Sequence, residues 1–261
     1  MRLHVSWEMV ETLFRDSVTR NLDHWISPSS PHFKLTREFA LSRLGEGRQL
    51  AAFFRPRFSG QSIRVLDLGA GNGGVSVGLG NHSDFRVTAL DIIVNEDLRA
   101  LRTSTRLPLH QVAGSGHQLP FADGSFDLVL CLETIEHLSN PSALGNQIMR
   151  VLRPGGVCMI TTPARFRHLV APDPHYGVRG LLLLPDPFQR ALMTRVLRRG
   201  ERYDVEHIFW TRRGITRHFP GKHRVETLIN IPWPGTPRTP AHILWYLARG
   251  WLWDRIIVHK R

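Results

Sequence analysis

Residues 65–74 read Val65-Leu66-Asp67-Leu68-Gly69-Ala70-Gly71-Asn72-Gly73-Gly74. An apolar run ends there in a loop whose glycines permit a tight turn and a close approach of backbone to a ligand, before a helix begins. Asp67 stands two positions before the first glycine. A second run, Arg86-Val87-Thr88-Ala89-Leu90, ends in Asp91, about 20 residues after the loop, where a carboxylate can accept hydrogen bonds from a ribose diol. Glycines alone would suit any strand–turn–helix. With the two acids they suit a nucleoside-bearing cofactor, either a dinucleotide or S-adenosylmethionine.

Three downstream segments discriminate between those two. They are Leu119-Pro120-Phe121-Ala122-Asp123-Gly124-Ser125-Phe126-Asp127, Glu133-Thr134-Ile135-Glu136-His137-Leu138 and Arg150-Val151-Leu152-Arg153-Pro154-Gly155-Gly156. With the glycine loop and Asp91, in this order and spacing, they resemble the class I S-adenosylmethionine-dependent methyltransferases. Within that class the resemblance is to the type 11 group, which includes ubiquinone and menaquinone methyltransferases, and it covers roughly residues 60–163. It implies a doubly wound α/β fold, a mostly parallel seven-stranded Rossmann-like sheet, with S-adenosylmethionine across the strand C-termini. Gly69, Ala70, Gly71 and Gly73 would hold the amino-acid part of the cofactor, with Asp67 close behind. Asp91 would bind the ribose hydroxyls and Ile92 would pack on the adenine. Many relatives carry an Asp four residues before the Leu-Pro-Phe element. Ser115 stands there in this chain, which leaves adenine recognition to Ser115, to the backbone of Gly116 and His117, or to a water. Leu132 and Glu133 would line the channel toward the reactive methyl.

Methyl transfer from a sulfonium is an in-line displacement in which the protein chiefly aligns the reacting atoms and excludes water. A general base is needed only when the acceptor is a hydroxyl or a protonated amine. Three histidines are candidates: His137 after the fourth strand, His175 in Pro174-His175-Tyr176, and His207 in Glu206-His207-Ile208. Each also has a plain reading, in packing, capping or solvent exposure. Neither C-x-x-C nor H-E-x-x-H occurs, so no metal is expected.

The elements around these residues follow from periodicity. Trp7, Val10, Phe14, Val18 and Trp25 form the stripe of an amphipathic helix. Phe39, Leu44, Leu50, Phe53 and Phe54 suggest one or two short helices, with Gly45 and Gly47 among them. Residues 1–60 are thus read as a helical cap and 61–261 as the methyltransferase domain, with 163–210 inserted as a lid on the acceptor side. Strands are expected at Ile63–Leu68, Arg86–Asp91, Leu109–Ala113, Phe126–Leu132 and Val157–Thr162. Asn140-Pro141 should start a helix that Pro154-Gly155-Gly156 ends. Beyond the lid, a helix from Thr211, a strand at Arg224–Ile231, a short helix over 243–251 and a terminal strand at Arg255–Val258 complete the pattern.

The 261 residues are 42% hydrophobic and 21% charged, which excludes disordered, collagen-like and polytopic membrane chains. Two cysteines in apolar runs read as buried thiols of a reducing compartment. The absence of a signal-like N-terminus and of a spanning segment adds to a cytoplasmic reading, with membrane association left open. Charge divides the chain: residues 1–149 hold 14 Lys+Arg against 15 Asp+Glu, and residues 150–261 hold 20 against 7. Arginines beside leucine clusters in the lid suit a small-molecule, lipid or glycan acceptor that is anionic, or peripheral contact with a membrane. They also suit a merely solvated surface. The reading is a methyltransferase acting on O or N of a small molecule, lipid or glycan precursor. Its rivals are an RNA methyltransferase, favoured by charge but by no RNA-binding motif, and a non-catalytic cofactor-binding scaffold.

Overall fold

Five of the seven strands described lie where β-rich runs meet turn residues, and the near-continuous burial of residues 65–68 and 126–132 marks a sheet covered on both faces at its centre. The computed structural model describes residues 6–25, 33–58, 62–162, 178, 180–197, 209, 212–228 and 255–261. The strands are β1 (Ile63–Leu68), β2 (Phe85–Asp91), β3 (Leu109–Ala113), β4 (Phe126–Leu132), β5 (Leu152–Thr161), β6 (His223–Leu228) and β7 (Arg255–Lys260). They form one sheet in the order β3-β2-β1-β4-β5-β7-β6. The fold is the mostly parallel, doubly wound α/β architecture expected. The chain groups into two compact units, one of Met1–Ser115, Ser125–Leu130 and Pro232–Thr236, the other of Gly116–Gly124, Cys131–Ile231 and Pro237–Arg261.

In the first unit β1, β2 and β3 pair in parallel, with Val65 opposite Val87 and Val87 opposite Leu109. Helices α3 (Gly74–Gly80) and α4 (Glu96–Thr105) make the crossovers between them. Asn95 caps α4, its Oδ1 accepting from Leu98 N at 3.1 Å, which satisfies one donor of the first turn. Helix α1 (Trp7–Trp25) buries Val10, Phe14 and Val18, the stripe expected from their spacing. One expectation is corrected next to it. The segment with Gly45 and Gly47 is not one or two short helices but a single helix, α2 (Phe33–Phe54). A glycine inside a helix costs only about 1 kcal/mol, and Gly47 is where α2 meets α3. A Cβ there would lie 2.3 Å from Val75 O.

In the second unit α5 (Pro141–Val151) begins at the Asn140 cap, whose Oδ1 accepts from Ala143 N at 3.0 Å. Its end is also corrected: the chain turns extended at Leu152, so β5 starts five residues ahead of the expected Val157 and contains Pro154-Gly155-Gly156. Lys260 Nζ donates to Met149 O and Leu152 O, both at 2.6 Å, bringing a cation to the helix C-terminus. Strand β7 runs antiparallel to both neighbours, with Val258 opposite Cys158 on β5 and opposite Val225 on β6. Helices α6 (Asp186–Ala191) and α7 (Arg212–Thr216) lie between β5 and β6. The helix expected over 243–251 and the last residues of the strand expected at Arg224–Ile231 lie outside the described residues. Among the described residues no helix is long and apolar enough to cross a membrane.

Candidate active site

The glycine loop, in the first unit, is pinned to the end of the neighbouring strand. Gly69 N and Ala70 N both donate to Leu90 O, at 2.8 and 3.1 Å. Gly71 then adopts φ +54°, and the space where its Cβ would stand is open to 4 Å. Its N–H donates to Asp91 Oδ2 at 2.8 Å, while Ile93 N donates to Asp91 Oδ1 at 3.4 Å. A carboxylate oxygen has two lone pairs, so each retains an acceptor position for a diol. Next to it Ile92 is 76% exposed, with Ile93 and Val94 exposed as well. A bare backbone at Gly71, a half-buried acid and an uncovered aliphatic side chain fit the amino-acid, ribose and adenine parts of S-adenosylmethionine.

Beneath the loop Asp67 is buried, and its Oδ2 accepts from Ser76 Oγ at 2.6 Å. Burial pushes its carboxyl up to about 6, against the pull of the Ser76 hydrogen bond and of Arg43. Arg43 comes from α2, where it pairs with the buried Glu46. Ser115, next to Gly114 whose N–H donates to Asp91 O at 2.9 Å, is exposed.

In the second unit Leu132 is buried and Glu133 turns into the left-handed region, φ +54°. Glu133 N donates to Thr161 O and Thr161 Oγ1, at 3.0 and 3.1 Å. His137 closes a 3-10 turn (Ile135–His137), with its N–H donating to Thr134 O at 3.1 Å. Its ring is one-third exposed and stands 4.0 Å from a carboxylate oxygen of the buried Glu136. Gly116 is buried, and His117 Nε2 accepts from Asn140 N at 3.3 Å, which ties the 116–118 turn to the start of α5. Arg150 ties the Leu-Pro-Phe element to α5, directly ahead of Leu-Arg-Pro-Gly-Gly. Its guanidinium donates to Leu119 O, Phe121 O, Asp123 Oδ1 and Gln147 Oε1 at 2.6–2.9 Å.

The structure therefore joins Gly71 to Asp91 directly, and gathers Glu133, Thr161 and the His137 turn around the end of β4. His175 and His207 lie outside the described residues. Sequence reasoning missed Ser76, Arg43, Glu46 and Thr161. Only the Arg43–Glu46 spacing of three on a helix carried a signal, and that spacing is equally common on solvated faces. Among the described residues no group of three His, Cys, Asp or Glu side chains is arranged to hold a metal ion. The two cysteines are free and buried, and burial pushes the Cys131 thiol well above its ordinary value.

Comparisons with known proteins agree with this geometry. Residues 66–160 match the family model described as "Methyltransferase domain". The chain is 27% identical over 162 residues to a ubiquinone biosynthesis O-methyltransferase of Rickettsia conorii, covering 61% of this chain and 54% of that one. It is 36% identical over 103 residues to a dimethylglycine N-methyltransferase of Parasynechococcus marenigrum, covering 38% and 37%. The chain thus spans about half the length of the first of these curated relatives and less of the second. Among solved structures, phosphoethanolamine N-methyltransferase 2 of Haemonchus contortus shares the fold, with TM-score 0.53 and 18% identity over 95% of this chain and 60% of that one. The PH0226 protein of Pyrococcus horikoshii does so with TM-score 0.50 and 20% identity over 82% and 91%. Residues 66–160 thus match a methyltransferase domain, and the similarity to the class I S-adenosylmethionine-dependent methyltransferases, type 11 group, rests on that segment.

Proposed function

We propose that this protein transfers a methyl group from S-adenosylmethionine to an O or N atom of a small organic acceptor, with an anionic lipid or glycan precursor favoured. The observation that carries the reading is the Gly71–Asp91 hydrogen bond, which joins the loop to the acid while leaving the Gly71 backbone uncovered. In this reading Gly69, Ala70, Gly71 and Gly73 receive the amino-acid end of the cofactor and Asp91 its ribose. Ile92 meets one face of the adenine, with Ser115, Gly116 and His117 at its edge. Leu132 and Glu133 border the methyl. The bound cofactor supplies an electrophilic carbon on a sulfonium, so the protein's task is alignment and exclusion of water. His137 is the described candidate for accepting the acceptor's proton. The O- and N-methyltransferase names of the relatives support the two atoms, and the arginine-rich second half supports an anionic acceptor.

Calorimetric titration with S-adenosylmethionine and S-adenosylhomocysteine, followed by transfer of a labelled methyl to panels of small phenols, amines, anionic lipids and glycans, tests this reading. Cofactor binding with label in a low-molecular-mass product is expected. Label in RNA would turn the reading to an RNA methyltransferase. Tight cofactor binding with no turnover on any panel would turn it to a scaffold, and absence of cofactor binding would sink it.

A further inference from the structure

Between Gly180 and Leu197 the chain forms a 3-10 turn (Leu181–Leu183), α6 and a turn of π-helix (Leu192–Val196). One side of this segment faces inward. Leu181, Gln189 and Met193 are buried, Val178 and Leu192 pack on the Leu181–Met193 pair, and Gln189 Nε2 donates to Leu184 O at 2.7 Å. Four large apolar side chains of the segment are instead uncovered: Leu184 is 37% exposed, Phe188 65%, Val196 67% and Leu197 38%. Single exposed apolar residues are ordinary, but a group of four in so short a segment marks an interaction surface.

The composition of the sequence that carries these side chains favours one occupant. Residues 178–202 carry six arginines (Arg179, Arg190, Arg195, Arg198, Arg199 and Arg202) against Asp186 and Glu201. Arg195, adjacent to Val196, is exposed. A protein partner covering the apolar side chains would most simply be met by a core depleted of charge. A bilayer with anionic headgroups satisfies both features, the apolar groups at the acyl boundary and the guanidinium groups at the phosphates.

We infer that the exposed apolar side chains of Leu184–Leu197 dock on an anionic lipid surface, with Phe188 and Val196 entering the interface and Arg195 meeting the headgroups. The use of this contact to collect an acceptor rests on the anionic-acceptor reading above. The docking itself does not.

The test is co-sedimentation of the full chain with vesicles of phosphatidylcholine alone or with about 30% phosphatidylglycerol, at ~50 and ~500 mM salt, where screening differs strongly. Binding to the anionic vesicles should exceed that to the neutral ones by roughly tenfold or more at low salt, and fall at high salt. The doubly substituted Phe188→Ser, Val196→Ser chain should lose most of that binding, while its affinity for S-adenosylhomocysteine stays unchanged. Equal binding to both vesicles, binding to neither, or undiminished binding by the variant would overturn the inference. So would a dimer in light scattering that the variant dissolves, which would assign the face to a second copy of the chain. Failure of the wild-type chain to bind S-adenosylhomocysteine would strike the methyltransferase reading and leave the docking result standing.

Discussion

Gly47 of α2 and Gly78 of α3 stand backbone to backbone, so that a Cβ added to either would lie 2.9 Å from the Cα of the other. The same atoms would meet Val75 O at 2.3 Å and Leu44 O at 2.4 Å, and backbone cannot give way as a side-chain end can. Gly78→Val should therefore destabilise the protein by about 1–3 kcal/mol through overpacking, read as a lower urea midpoint. Because α3 starts directly after the glycine loop, cofactor affinity should fall in the same variant. A midpoint equal to wild type would show that the helices separate without cost.

Asp91 holds the loop through Gly71 N–H and keeps acceptor positions for a diol. Asp91→Ala should weaken S-adenosylmethionine binding roughly tenfold or more, the size expected for losing charge-assisted hydrogen bonds. Asp91→Asn retains an acceptor for Gly71 and should fall between wild type and Ala. Calorimetry separates the three, and equal affinities would remove Asp91 from the site.

Asp67 carries a pH signature. Burial raises its carboxyl to about 6 in the folded protein, whereas in the unfolded chain it titrates near 4. Below about pH 4 both states hold the proton. As pH rises toward 6 the unfolded chain releases it first, so folding stability is lost across that window, by roughly 3 kcal/mol in total. Asp67→Asn keeps an acceptor for Ser76 Oγ and removes the titration. The stability difference between wild type and variant, followed by urea unfolding from pH 4 to 7.5, should move steadily against wild type and level off above 6. A pH-independent difference would show that Asp67 is not desolvated.

Glu133 occupies a backbone region that costs a non-glycine residue about 1–2 kcal/mol, held there by two hydrogen bonds to Thr161. Replacement by Gly should leave thermal stability nearly unchanged or slightly raised, since relief of strain offsets the added chain entropy. Glu133→Val should lower stability by a further 1 kcal/mol or so. If Gly destabilises as much as Val, the carboxylate's own contacts govern the site and the strain does not.

Much of the fold was legible because it is local. Alternating apolar runs marked β1 to β5, Asn140-Pro141 marked the start of α5, and the glycine loop with Asp91 marked the cofactor half of the candidate site. Each depends on neighbours within a few positions, or on a strand-helix-strand unit of regular length. Arg150 was legible as part of a motif but not as the group that ties the two motifs together through four hydrogen bonds.

The residues of this chain, taken alone, determined its fold class, its cofactor class and where its strands lie, because glycine conformation, apolar periodicity and helix capping act over short range. The tertiary structure decided what distance in sequence conceals. It ran α2 unbroken through Gly45 and Gly47, and set Gly47 where close approach to α3 requires a missing Cβ. It brought Arg43 and Ser76 to the buried Asp67, because desolvating a carboxylate demands partners wherever the chain can supply them. It also left Phe188 and Val196 uncovered, an outcome that depends on which side of one short segment the core claims.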